Sequence, residues 1–310
     1  MVSSFNSVKH LSATTLAKDE KDKRQKEIMA RGLPKKKPIP GVKHVILVAS
    51  GKGGVGKSTA AVNIALGLKL LNSSYEVGLL DADVFGPTIP LMMNLHENPN
   101  LTSENLMKPL INYGVKCMSM GFLVGGKGNT VIWRGLMVMS AVEKMLRGTA
   151  WAPLDILVVD TPPGTGDTHL SLAQLAPISG KFKALKLNPH HSQNNSRYRS
   201  NRFYKRAVLV TTPQTAAVQV TQKGATMFEK LGIPVIGLVH NMAWTVCPSC
   251  NTKVYCYGRD DAVKNLASDI GNILEIHVYF VMCIDNGKGK IPLKIFHTKS
   301  PHFIFYYCNI

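Results

Sequence analysis

The chain has 310 residues, 45% of them hydrophobic and 18% charged, a balance that suits a folded domain and argues against wholesale disorder. Its apolar runs, such as 45–49 and 156–159, fall far short of the roughly 18–20 residues that span a bilayer, so no transmembrane segment is expected. The net charge of +18 sits in three segments (11 basic and 4 acidic residues in 1–43, 8 and none in 181–206, 4 and 1 in 278–310) and the rest is balanced at 14 against 14, so a basic groove for specific nucleic-acid binding is not supported.

The first 18 residues hold Lys9, His10 and Lys18, six serines and threonines and no acid, which fits a mitochondrial transit peptide and equally a plain polar tail. A charged stretch and a Pro/Lys linker follow, so 1–43 reads as a basic tail and 44–276 as the domain. Residues 44–50 (HVILVAS) form a β-rich apolar run bounded by glycine, read as a buried strand. Helical spacing of Ala61, Ile64, Ala65 and Leu68 predicts a helix over 57–71. Further strands are expected at 76–81, 154–160, 207–212 and 235–240, with helices at 168–176 and 216–231 and a long mixed segment before 154. Strands alternating with helices define an α/β class with a mostly parallel sheet flanked by helices.

Between the first strand and the first helix lies Gly51-Lys52-Gly53-Gly54-Val55-Gly56-Lys57-Ser58, a complete GxxxxGK[ST] phosphate loop in the context that motif requires. Glycines let backbone N–H groups converge on phosphate oxygens, and the helix N-terminus adds partial positive charge. Lys57 is placed for the β- and γ-phosphates and the Ser58 hydroxyl for Mg²⁺. Two apolar strands end in carboxylates, Asp81 with Asp83 and then Asp160. A parallel sheet brings both ends to the edge that carries the loop, where a carboxylate holds Mg²⁺ or orients water.

The run from Gly51 to Thr59, with a second lysine at Lys52, resembles the deviant phosphate loop of MinD/Mrp-class P-loop ATPases, the SIMIBI group. Asp83-Val84-Phe85-Gly86-Pro87 is similar to that family's first switch, and Asp160-Thr161-Pro162-Pro163-Gly164-Thr165-Gly166-Asp167 to its second. Runs such as Arg31-Gly32-Leu33-Pro34-Lys35, Asn112-Tyr113-Gly114 and Trp133-Arg134-Gly135-Leu136 resemble one branch, the mitochondrial nucleotide-binding-protein-like (NUBPL-type) factors that deliver iron–sulfur clusters to complex I subunits. The resemblance implies ATP and Mg²⁺ as cofactors, slow hydrolysis, a homodimer and the mitochondrial matrix. It implies that Lys52 reaches the partner's phosphates, that Asp83 orients the hydrolytic water and that Asp81 and Asp160 support the Mg²⁺ shell. It further implies that the Gly164 N–H senses the γ-phosphate and that Asn241 contacts the purine, although Asn241 also reads as an ordinary turn residue.

Cys247-Pro248-Ser249-Cys250 supplies two thiols at ligand spacing, half of a four-ligand site. The resemblance implies a 4Fe–4S cluster shared across a homodimer. Zinc, with Cys256 as a third ligand, and a redox pair are the other readings of these residues. Cys117, in an apolar run, reads as core. Two segments depart from the family pattern: 181–206, whose lack of period predicts a disordered surface insertion, and 277–310, a divergent tail where the family has a core strand and a final helix. The competing functions are a MinD/ParA-type positioning ATPase, which needs a basic amphipathic terminal helix or a basic body that this chain lacks, and a zinc-bound scaffold without turnover.

Overall fold

Apolar runs dominate the long strands, and the order in which they pair puts the glycine-rich loop in the middle of a sheet. The computed structural model describes residues 39–123, 135–164, 205–247, 249–271, 273–277 and 280–281. In chain order the strands are β1 (Val42–Ser50), β2 (Val77–Asp81), β3 (Leu110–Asn112), β4 (Val115–Ser119), β5 (Leu154–Asp160), β6 (Lys205–Thr211), β7 (Val235–His240), β8 (Thr245–Val246), β9 (Lys253–Val254), β10 (Leu274–His277) and β11 (Phe280–Val281). Eight form one sheet, ordered β10-β7-β6-β1-β5-β2-β4-β3, parallel throughout except for β3 against β4. The other three make a small sheet, ordered β11-β8-β9.

Helices α1 (Lys57–Leu71), α2 (Ile89–Met92), α3 (Gly135–Arg147), α4 (Thr215–Lys230) and α5 (Asp261–Ile270) join these strands. α1 packs on β1, β2, β4 and β5, while α4 packs on β1, β6 and β7. Small residues on α1 allow the close approach: Ala60, Ala61 and Ala65 are all buried. β2 and β5 are fully or almost fully buried along their length, as parallel strands sealed under helices must be. Cys117 lies in this core, and burial pushes its thiol up to about 12.

The phosphate loop follows β1, whose neighbours are β5 and β6. Register then aligns the acids: Asp81 pairs with Asp160 across β2 and β5, and Asp160 pairs with Val48 two residues before β1 ends. Loop and both carboxylates therefore share one carboxyl edge, where open α/β sheets bind ligands.

Boundaries differ from the sequence reading in four places. β1 starts at Val42, and Ile39 is in the core at 2% exposure, so the domain begins inside the stretch read as tail. Lys205 and Arg206, read as the end of the insertion, already belong to β6, where they face Val45 and Ile46. His277 closes β10, and the first part of the divergent tail supplies β11, which pairs with β8. The mixed segment holds β3 and β4, which are too short and too interrupted by Lys116 and Asn112 to show a strand period. The helix expected at 168–176, the insertion at 181–204, residues 1–38 and the tail after 281 lie outside the described residues.

Candidate nucleotide site and cysteine pair

Gly56 caps α1 in the left-handed region at φ 86, and no acid occupies the first turn to compete for the helix N-terminus. Gly54 is left-handed too, at φ 77, and a Cβ added at Gly53 or Gly54 would meet nothing, so these two residues face open space. Gly51 is a glycine for the opposite reason. A Cβ there would sit 2.7 Å from the backbone of Val220 and Thr221 on α4, so that helix lies directly on the loop. Thr59 stands in the first turn of α1 and its carbonyl accepts from Asn63 Nδ2 at 2.8 Å.

Lys57 is buried, and its ammonium is held by a carboxylate oxygen of Asp160, with Asp83 Oδ2 at 3.9 Å and the Ser58 hydroxyl at 3.3 Å. Asp160 is fully buried. Burial raises its pKa, opposed by Lys57 and by a hydrogen bond from Ser58. Its second oxygen, Oδ2, is buried with no hydrogen-bond partner. A buried orphan carboxylate oxygen beside a serine hydroxyl is the donor set a hard divalent cation takes, so these residues fit Mg²⁺.

Asp81 is committed differently. Its Oδ2 accepts the Ile89 N–H at 3.2 Å and the Ser119 hydroxyl at 3.0 Å, and its Oδ1 accepts the Asp83 N–H at 3.2 Å. It pins the 82–89 loop, which carries Asp83, to the sheet edge. Burial, reinforced by the nearby Asp160 charge, pushes its pKa up to about 7. Both Asp81 oxygens are thus engaged in holding the 82–89 loop in place. Ser119 escaped the sequence reading because it ends β4, a strand without a legible pattern; a lone serine gives no signal.

Other residues are engaged in ways that only the fold reveals. Lys52 is exposed and its Nζ lies 3.4 Å from Gln214 Oε1 of its own chain. The Gly164 N–H donates to the Ser50 carbonyl at 2.9 Å. Asn241 follows β7 directly, and its side-chain amide donates to the Val55 carbonyl at 2.8 Å. No motif flags Gln214 in the sequence.

The cysteine pair stands on the small sheet. The Cys247 N–H donates to Thr252 O and its carbonyl accepts the Asn251 N–H, both at 2.9 Å, closing a tight turn between β8 and β9. Cys250 is exposed, and the Thr252 hydroxyl 2.9 Å from its Sγ lowers its pKa, with neighbouring amides and the Cys247 thiol adding to the effect. That favours the thiolate, the form that ligates metal. Cys256 is exposed, and among the described residues no group of three or more His, Cys, Asp and Glu side chains is poised around a metal position. One chain therefore presents two thiols here.

A parallel sheet with a glycine-rich loop, a buried lysine and two edge carboxylates defines a P-loop NTPase. The chain matches the ParA family model described as NUBPL iron-transfer P-loop NTPase over residues 41–183 and 199–298. It is 50% identical over 271 residues to the iron-sulfur cluster transfer protein NUBPL of Mus musculus, covering 86% of this chain and 76% of that one. It is 45% identical over 229 residues to the Arabidopsis thaliana iron-sulfur protein required for NADH dehydrogenase, mitochondrial, covering 74% of this chain and 64% of that one. Among solved structures, a nucleotide-binding protein in complex with ADP from Archaeoglobus fulgidus is similar at a TM-score of 0.58 and 31% identity, covering 79% of this chain and 84% of that chain. The chain belongs to the NUBPL family of iron-transfer P-loop NTPases.

Proposed function

We propose that this chain carries a 4Fe–4S cluster between two copies of itself and delivers it to acceptor proteins, the subunits of complex I, in the mitochondrial matrix, under the control of bound ATP. The observation that carries the reading is the coexistence in one chain of an open phosphate cradle and an exposed hairpin with only two thiols. Family membership and the names of the mouse and Arabidopsis relatives support the cargo and the acceptor.

The nucleotide phosphates lie on the amides of 53–58, and Lys57 leaves Asp160 to neutralise them. Ser58 and the free Oδ2 of Asp160 would hold Mg²⁺, which would supply positive charge against the phosphates. Asp83, already facing Lys57, is released with it and orients the attacking water. Lys52 leaves Gln214 and reaches the phosphates of a facing copy, which confines full charge stabilisation to the dimer. Gly164 exchanges the Ser50 carbonyl for the γ-phosphate. Hydrolysis is slow because several of these contacts must first be exchanged.

Anaerobic reconstitution with iron and sulfide tests the reading. The expected result is about four irons per two chains, found only at dimer mass, since a cluster takes four thiolates and symmetry doubles each chain's two. A fully loaded monomer overturns the shared site, and tight colourless zinc in place of iron overturns the carrier reading in favour of a scaffold.

A further inference from the structure

The phosphate loop and the cysteine pair are joined by a short stretch of chain, 241–247, that is anchored at nearly every residue. At its start the Asn241 amide donates to Val55 O and its N–H donates to Thr211 O, both at 2.8 Å. A Cβ added at Gly56 would lie 2.2 Å from Asn241 Nδ2, so loop and amide are packed into contact. Met242 follows in the left-handed region at φ 55, where a side chain is strained. Ala243 and Thr245 are buried, Trp244 carries the Lys253 ammonium 4.4 Å above its ring, and Thr245 and Val246 are paired in β8. The next residue is Cys247, itself fixed by Thr252 and Asn251.

We propose that Asn241 is a positioning residue through which occupancy of the phosphate loop changes the geometry of the Cys247–Cys250 pair. This rests on the reading above, in which the loop takes a nucleotide and the pair takes metal. Phosphates draw the loop's N–H groups toward themselves, and turning the peptide after Val55 turns its carbonyl. The Asn241 amide must follow that carbonyl or lose it. Either response moves the end of β7, and a five-residue stretch with four of its residues anchored has little slack in which to absorb the movement. Both sites then bias one element, which is what coupling between sites requires, and the coupling is reciprocal.

The test uses the full, reduced, metal-free chain. Iodoacetamide alkylation rates of Cys247 and Cys250 are read peptide by peptide, without nucleotide and with MgADP at a concentration that saturates each variant by its own measured Kd. Wild type should show a change of about fivefold, the low end of typical coupling between sites. Asn241→Ala should reduce it to nearly none, as should Asn241→Asp, which matches Asn in size, lacks the donor and serves if the alanine variant does not fold. Asn241→Gln keeps a donor amide and should restore part of the effect.

Rates that stay unchanged in wild type with MgADP bound overturn the proposal, as does an alanine variant that keeps the full effect. Variants that unfold at the wild-type temperature yet take up no MgADP also overturn it, because Asn241 would then be a nucleotide contact only. If the wild-type chain binds no nucleotide, the nucleotide reading itself fails, and the coupling with it. That outcome is distinguished by the binding measurement alone.

Discussion

The two ends of the proposed mechanism are built in opposite ways. The phosphate end rests on strands of nine, five and seven residues, and its charges, Lys57, Asp81 and Asp160, are buried and lean on one another. The cysteine end rests on strands of two residues, and every described residue from 249 to 259 is exposed. A site that must stabilise charge gains from low dielectric and fixed dipoles, so it belongs where the sheet is deepest. A site proposed to hand over cargo needs access, and this pair lies in a turn followed by exposed residues. It follows that substitutions at the first end should change stability and binding together, while those at the second should change binding alone.

The largest effect is expected at Lys57. Lys57→Ala removes the ammonium from the phosphates and leaves Asp160 buried without its counter-ion. Nucleotide affinity should fall about a hundredfold, since charge-assisted hydrogen bonds are worth about 1.5–3 kcal/mol each. Stability near pH 8 should fall by about 3 kcal/mol, the usual cost of stranding one half of a buried pair. Calorimetric titration and urea unfolding measure the two losses, and unchanged ATP affinity would sink the phosphate-loop assignment. At the other end, Cys247→Ala or Cys250→Ala should abolish most iron binding, because symmetry removes two ligands at once, and Cys250→Ala, at an exposed position, should leave the unfolding temperature of the metal-free chain within about 1 °C of wild type.

The buried end should also carry a pH dependence of stability, through Asp81. The folded chain holds the Asp81 proton more tightly than the unfolded chain does, with a pKa of about 7 against an ordinary 3.8. The stability it confers is therefore complete below 3.8 and lost as pH rises through about 7. Asp81→Asn should remove that part of the slope, on the order of 3 kcal/mol between pH 4 and 8. Urea midpoints at several pH values check it, and a variant with the wild-type slope would refute it.

Smaller effects sharpen the contrast. Lys52 is exposed and its ammonium lies against Gln214 of its own chain, so Lys52→Ala should leave monomer nucleotide affinity within about twofold. Turnover should fall at least tenfold if its ammonium acts across the dimer, where water is excluded. Wild-type turnover in this variant would count against the facing-dimer mechanism. Least of all is expected of Cys256→Ala, which should keep its iron, and loss of iron there would place the site within one chain.

Much of the phosphate end could be read in the sequence because local rules create it. Gly56 needs a left-handed backbone, Ser58 must follow Lys57 to open a helix, and an apolar run ending in Asp160 marks the edge of a parallel strand. The cysteine pair was legible by spacing and its incompleteness by ligand count. The partners of these residues were not legible, for they come from other parts of the chain. Ser119 reaches Asp81 from 38 residues away, Asp160 reaches Lys57 from 103 and Asn241 reaches Val55 from 186.

Residue type and local order suffice for the α/β class, the phosphate loop, the acidic strand ends and the two-thiol turn, since each depends on backbone conformation or on chemistry within a few neighbours. Strand order and register are a matter of the tertiary structure. They bring Asp81 opposite Asp160, turn Asp81 into the clasp of the 82–89 loop, draw the start of the tail into pairing with β8 and lay the Asn241 amide on the loop that Gly56 closes. Such contacts form between segments far apart along the chain and depend on how apolar faces pack, so no local pattern could announce them.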